Sequence, residues 1–163
     1  MDDPCYIAAL RILNYRFNSE AELRRKLRSK KFSAEQIDAT VEKLRRERWL
    51  DDDRFAMAFA RTRAQKRLGP RRIRRELEMA GIEGEQAERA VAAAVDPERE
   101  REALLEVLDK RAAHLTRRHG AGYLNTPEGR NKLTGYLLKQ GYDAGLIYEA
   151  LKEIRVVEHQ SDS

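Results

Sequence analysis

Residues 23–44 read LRRKLRSKKFSAEQIDATVEKL. The apolar series Leu23, Leu27, Phe32, Ile37, Val41 and Leu44 runs at spacings of 4, 5, 5, 4 and 3. Pairs four apart share one face of a helix, so this stretch predicts two amphipathic helices with a turn between them. The pattern recurs fifty residues later as Ile73, Leu77, Ile82, Ala87, Val91 and Ala94. After sixty more it returns as Leu133, Leu137, Tyr142, Ile147, Leu151 and Ile154. Gly81 and Gly141 precede the middle member in the later copies, where a left-handed residue closes a helix C-terminus without a Cβ clash. Lys31 stands at that place in the first copy and predicts a strained or different turn.

A third helix is expected ahead of each pair. The first covers about residues 5–16, with Ala9, Leu10 and Leu13 inward. The second starts near Asp51 as a cap, with Leu50 and Phe55 at the spacing of a hydrophobic staple and Phe55, Ala56, Phe59 and Ala60 inward. The third covers about 98–118 on Leu104, Leu108, Ala112 and Leu115. Ser19 with Glu22 and Ser33 with Gln36 have capping-box spacing, while Gly69-Pro70 and Thr126-Pro127 are helix starts. The fold class expected is all-α: three tandem three-helix repeats forming an elongated, curved rod. Their bounds are 5–50, 51–97 and 98–155, followed by a frayed tail over 156–163. The ten extra residues of the third unit fall around Gly120 to Asn125 and are expected to loop.

Composition agrees with a thin fold. Hydrophobic residues make up 41% of the 163, too many for a wholly disordered chain, and the 37% charged residues are too many for one large core. The single cysteine, Cys5, excludes an internal disulfide and is expected to be buried. The opening residues are acidic and no long apolar run follows, so we expect a cytoplasmic chain with no leader and no membrane contact.

The formal charge of +5 matters less than its distribution. Arg61, Arg63, Lys66, Arg67, Arg71, Arg72, Arg74 and Arg75 lie in a stretch with no acid, whereas residues 83–109 hold nine acids and three bases. One reading is a surface for a polyanion, either nucleic-acid phosphates or an acidic protein groove. The other is a charged face paired with the acidic stretch that follows. Arg24, Arg25, Lys26, Arg28, Lys30 and Lys31 form a second basic set, and Arg24 and Arg25 share repeat positions with Arg74 and Arg75. Units stacked in register would join them in one stripe that weakens at Thr134 and Gly135. Asp51, Asp52 and Asp53 point 100° apart on a helix and are expected to cap it rather than hold a metal. His114 and His119 are poorly spaced for shared ligation. Trp49 is expected to plug the space between units, and the later tyrosines to sit at core or boundary positions. No nucleophile with a base and no phosphate loop is seen, so neither enzyme activity nor a cofactor is expected.

Taken together, these residues resemble the RecX family. Arg16, Ser19, Glu22, Leu23 and Leu27 look like its N-terminal signature. Leu50-Asp51-Asp52-Asp53-Arg54-Phe55-Ala56 looks like its central motif, followed by a basic helix, Gly69, Ile73, Glu76-Leu77 and Gly81-Ile82. Leu137 to Tyr142 resembles its last Gly-aromatic turn, and Lys31-Phe32 departs from the Gly of many members. The resemblance implies a monomeric regulator of recombination, repair and the SOS response. It would lie in the groove of the RecA filament on single-stranded DNA, with double-stranded DNA a further ligand, slowing ATP hydrolysis and strand exchange. A general DNA-binding helical module independent of RecA is the other function kept open. The expected contacts are twelve: Arg24, Arg25, Lys26 and Arg28 of the second basic set with the eight basic residues from Arg61 to Arg75. Leu50, Asp51, Asp52, Arg54, Phe55, Ala56, Gly69 and Gly81 are expected to serve the fold.

Overall fold

The computed structural model describes residues 3–161, with side chains as far as residue 154. The described residues are helical throughout, with no strand. The first unit consists of α1 (Pro4–Tyr15), α2 (Glu20–Ser29) and α3 (Ala34–Arg46); the second of α4 (Asp52–Gln65), α5 (Pro70–Met79) and α6 (Gly84–Ala94). The third consists of α7 (Pro97–His119), α8 (Pro127–Gln140) and α9 (Ala144–Ser161). Pro97, expected at the end of the second unit, is the first residue of α7, because Asp96 accepts from Arg99 N and starts the helix there. α9 runs to Ser161, through most of the segment expected to fray; side chains beyond residue 154 lie outside the described residues.

Each unit buries its own core. Leu23, Leu27, Ile37, Val41 and Leu44 close over Cys5 and Ala9 in the first. Ile73, Leu77, Ile82, Ala87 and Val91 close over Phe55, Ala56 and Ala60 in the second. Leu133, Leu137, Tyr142 and Ile147 close over Leu104, Leu108 and Leu115 in the third. The five-residue step in the repeat is a Schellman turn. Phe32 N donates to Leu27 O, Ile82 N to Leu77 O and Tyr142 N to Leu137 O, so the residue after the turn falls back onto the helix it left. The left-handed position is Lys31 (φ 70°), Gly81 (φ 84°) or Gly141 (φ 99°). Arg48 and Arg67, both at φ 61°, close α3 and α4 in the same way. Trp49 follows Arg48 and is no plug: it is 48% exposed, because the turn sends Leu50 inward in its place.

The units meet at one joint used twice. The N-terminus of a unit's middle helix packs on the Schellman turn of the unit that follows. At the first joint Ser19 Oγ donates to Ala80 O, Arg25 donates to Met79 O (3.3 Å) and Glu20 N donates to Asp52 Oδ1 (2.9 Å). At the second, Gly69 N donates to Gln140 O (2.8 Å), Arg71 N to Gly141 O (3.1 Å) and the Tyr142 hydroxyl to Arg67 O (2.5 Å). Glycine is needed for closeness as well as for φ. A Cβ on Gly81 would overlap that of Ala21, and one on Gly69 would lie 2.5 Å from Gly141 O and 2.6 Å from Tyr142 N.

Both ends of the array lack this joint. Lys31 puts a side chain where close approach requires glycine. At the far end the 3-10 turn Tyr123–Asn125, inside the connection expected to loop, covers Gly129: a Cβ there would meet the Tyr123 carbonyl carbon at 2.8 Å. That carbonyl stands on α8 as the carbonyl of Gly141 stands on Gly69.

Candidate polyanion-binding surface

Six of the twelve basic residues face an acid. Arg24 bonds Glu20 and Asp38, and at the equivalent place Arg74 meets Glu88 at 3.6 Å. Arg63 and Arg72 converge on Glu76. Burial pushes the Glu76 carboxyl up, but the hydrogen bonds from Arg63 and Arg72 outweigh it and hold the group below the usual glutamate range. Arg67 binds Glu106 (2.7 Å) and Arg71 binds Asp143 (2.5 Å), both across the second joint. Of these six arginines, Arg24 and Arg72 find an acid four positions away, and Arg24 also reaches Asp38; the other acids come from other helices or, for Asp143, from the turn before α9. Lys26 Nζ donates to the buried Asn18 (2.7 Å); burial, reinforced by nearby Arg16, lowers its pKa.

Arg28, Arg61, Lys66 and Arg75 are exposed and form no ion pair among the described residues. Arg75 differs instructively from Arg25 fifty positions earlier. Arg25 caps the C-terminus of α5, whereas Arg75 bonds nothing in the second joint. Segregated basic sequence thus resolves into joint arginines, which fasten helices and units, and a smaller set with charge to spare.

The central motif has a structural role at the first joint. Asp51 caps α4 through Arg54 N (3.0 Å), and Asp52 caps α2 in the neighbouring unit. Asp53 holds Gln86 of α6 (2.8 Å). Desolvation raises the pKa of Asp52, which the bond from Glu20 N only partly opposes. Leu50, Phe55 and Ala56 are buried, Phe55 stacks on Phe17 at 6.5 Å, and Arg54 lies 5.4 Å from the Phe17 ring. Gly69 and Gly81 are one contact each of the two joints. Ala21, Gln140 and Asp143 complete those joints and are not evident from sequence; the double occurrence of glycine at 81 and 141 is the available signal. No group of three or more metal-ligating side chains occurs among the described residues, and no helix there is long and apolar enough to cross a membrane.

Three small helical units, joined through polar turns and carrying exposed cations without an ion pair among the described residues, define a tandem three-helix repeat protein. A family model described as the first three-helix domain of RecX matches residues 5–44, and one described as the second three-helix domain of RecX matches residues 51–91. The regulatory protein RecX of Salmonella typhi is 35% identical over 144 residues, which cover 82% of this chain and 81% of that protein. The regulatory protein RecX of Actinobacillus pleuropneumoniae serotype 5b is 41% identical over 73 residues, and that match spans only about half of its length. The crystal structure of RecX from Lactobacillus salivarius superposes with a TM-score of 0.76 at 26% identity, over 93% of this chain and 95% of that one. The chain belongs to the RecX family.

Proposed function

We propose that this protein binds the RecA filament assembled on single-stranded DNA and restrains its ATP hydrolysis and strand exchange. Membership of a family of regulatory proteins named for RecA's recombination system supports the partner. The observation that carries the mode of binding is the set Arg28, Arg61, Lys66 and Arg75, exposed and without an ion pair among the described residues. A rod of linked units suits a helical groove walled by protein and phosphate. Contacts to neighbouring protomers oppose the motions between them that hydrolysis requires. The protein acts by binding and carries out no chemistry of its own. Arg24, Arg63, Arg67, Arg71, Arg72 and Arg74 serve this function indirectly, by holding the rod.

The test is ATP hydrolysis by the cognate RecA on single-stranded DNA, titrated with this protein at two salt concentrations. Inhibition well below one molecule per RecA indicates filament capping; inhibition near equimolar amounts indicates groove coating. Reversing all four free cations is expected to abolish inhibition with the helical content unchanged. If each cation meets one single-strand phosphate, the same change flattens the log–log salt dependence by about 3. Absence of inhibition by a protein that still binds DNA alone would overturn this reading in favour of a general DNA-binding module.

A further inference from the structure

One helix face is covered in the second and third units and bare in the first. Three residues past the buried Ala60 and Leu108 stand Arg63 and Arg111. Arg63 lies 4.4 Å from the Phe59 ring and reaches Glu76, closing the space between α4 and α5. Arg111 lies 4.5 Å from the Tyr136 ring and closes the same space between α7 and α8. Three residues past Ala9 the first unit has Ile12, and where the others carry Glu76 and Tyr136 it has Lys26.

The uncovered face is a groove along α1 and α2. It consists of two adjoining depressions of about 290 and 510 Å³ that share Ala8, Arg11 and Lys30. Ile7, Ile12 and Phe32 make its floor, and Tyr15, 89% exposed, stands at one end. Arg11, Lys26 and Lys30 line the rim, and no acidic side chain lines either depression among the described residues. Neither Arg11 nor Lys30 has an ion pair there.

We propose that this groove is a docking site for an acidic peptide segment bearing large apolar side chains, contributed by a partner protein. Carboxylates meet the three cations, and leucine- or phenylalanine-sized groups enter the depressions. Phe32 is packed against the first core and Tyr15 is the one exposed ring lining the depressions, which favours a peptide over a run of nucleobases, since those bind by stacking on successive aromatic faces. None of Arg28, Arg61, Lys66 and Arg75 lines either depression, and the proposal does not depend on the RecA reading.

The probe is a fluorescent peptide of Asp, Glu, Leu and Phe, followed by anisotropy, with a polyglutamate peptide of equal length as comparison. Binding by the full chain is expected to be at least about tenfold tighter for the mixed peptide. Lys30→Glu should weaken it by a similar factor. So should Ile12→Arg with Lys26→Glu, which transplants the cover of the second unit; Arg75→Glu should leave it unchanged. Circular dichroism establishes that each variant is folded. Equal affinity for polyglutamate, equal loss in Arg75→Glu, displacement by an oligothymidylate, or no binding at all would each overturn the proposal.

Discussion

Gly69→Ala separates the energetics of the joint from those of the helices. Gly69 sits at φ −76° and ψ 159°, a conformation alanine adopts freely, so the substitution strains no backbone. Exchanging glycine for alanine at a helix N-cap costs up to about 1 kcal/mol. Everything beyond that belongs to the joint. The new Cβ would lie 2.5 Å from Gly141 O, about 0.9 Å inside an ordinary contact of 3.4 Å, and its neighbours are backbone atoms that cannot rotate aside. Parting the units by that amount stretches the 2.8 Å bond from Gly69 N to Gln140 O to about 3.7 Å, outside hydrogen-bond range. The bonds from Arg71 N to Gly141 O and from the Tyr142 hydroxyl to Arg67 O open with it. At about 0.5–1.5 kcal/mol each, three lost bonds and the cap amount to roughly 2–5 kcal/mol. The three cores are untouched, so helical content should hold at low denaturant while the third unit swings away. Urea unfolding followed by circular dichroism gives the energy, and small-angle scattering gives the change in dimensions. Burial raises the Tyr142 pKa, so ultraviolet titration should place its ionisation lower in the variant. Stability within about 0.5 kcal/mol of the parent, with unchanged scattering, would refute the joint as described.

Gly135 lies inside α8, where a Cβ would meet nothing within 4 Å, so Gly135→Ala should stabilise the chain by about 0.5–1 kcal/mol in the same unfolding assay. Lys31→Gly should also stabilise, by about 0.5–1 kcal/mol: relief of a left-handed lysine exceeds the added freedom of the unfolded chain. Glu76→Gln should cost about 1–2 kcal/mol at neutral pH, since Arg63 and Arg72 lose their shared anion. Because the folded pKa of Glu76 is lowered, its contribution is present above the ordinary glutamate value and is lost as pH falls through the folded one; parent and variant should converge in acid. Asp52 has the opposite sign. Its raised pKa means stability is lost as pH rises through the folded value, and Asp52→Asn, which keeps an acceptor for Glu20 N, should remove that decline in a pH series of melts.

The helical repeat was legible because burial imposes a local period, and the same six positions are filled in all three units. Caps were legible for the same reason: Ser19, Ser33 and Thr126 act on residues three away. What the sequence did not disclose acts over longer distances. Arg67 and Arg71 look like spare charge until the second joint brings up Glu106 and Asp143, 39 and 72 positions on. Trp49 looks like a plug by size alone, yet a left-handed Arg48 turns it outward, and nothing about an arginine advertises positive φ. Asp52 reads as one of three equivalent caps, although it serves a helix of the preceding unit. The bare groove in the first unit shows only when Ile12 is set beside Arg63 and Arg111, a comparison that needs the ring contacts as well as the repeat.

The joint also determines how a chain of this design can grow. It is head-to-tail, the kind of contact that, left open at both ends, adds copies without limit and makes fibres. Here both ends carry an obstacle to that contact: Lys31 has a side chain where the two joints have glycine, and the Tyr123 carbonyl occupies the seat on Gly129. A longer chain on this plan would gain its extra unit in the interior, for example between the second and third, where Gly69 at a helix start and Gly141 in a turn already fit such a contact.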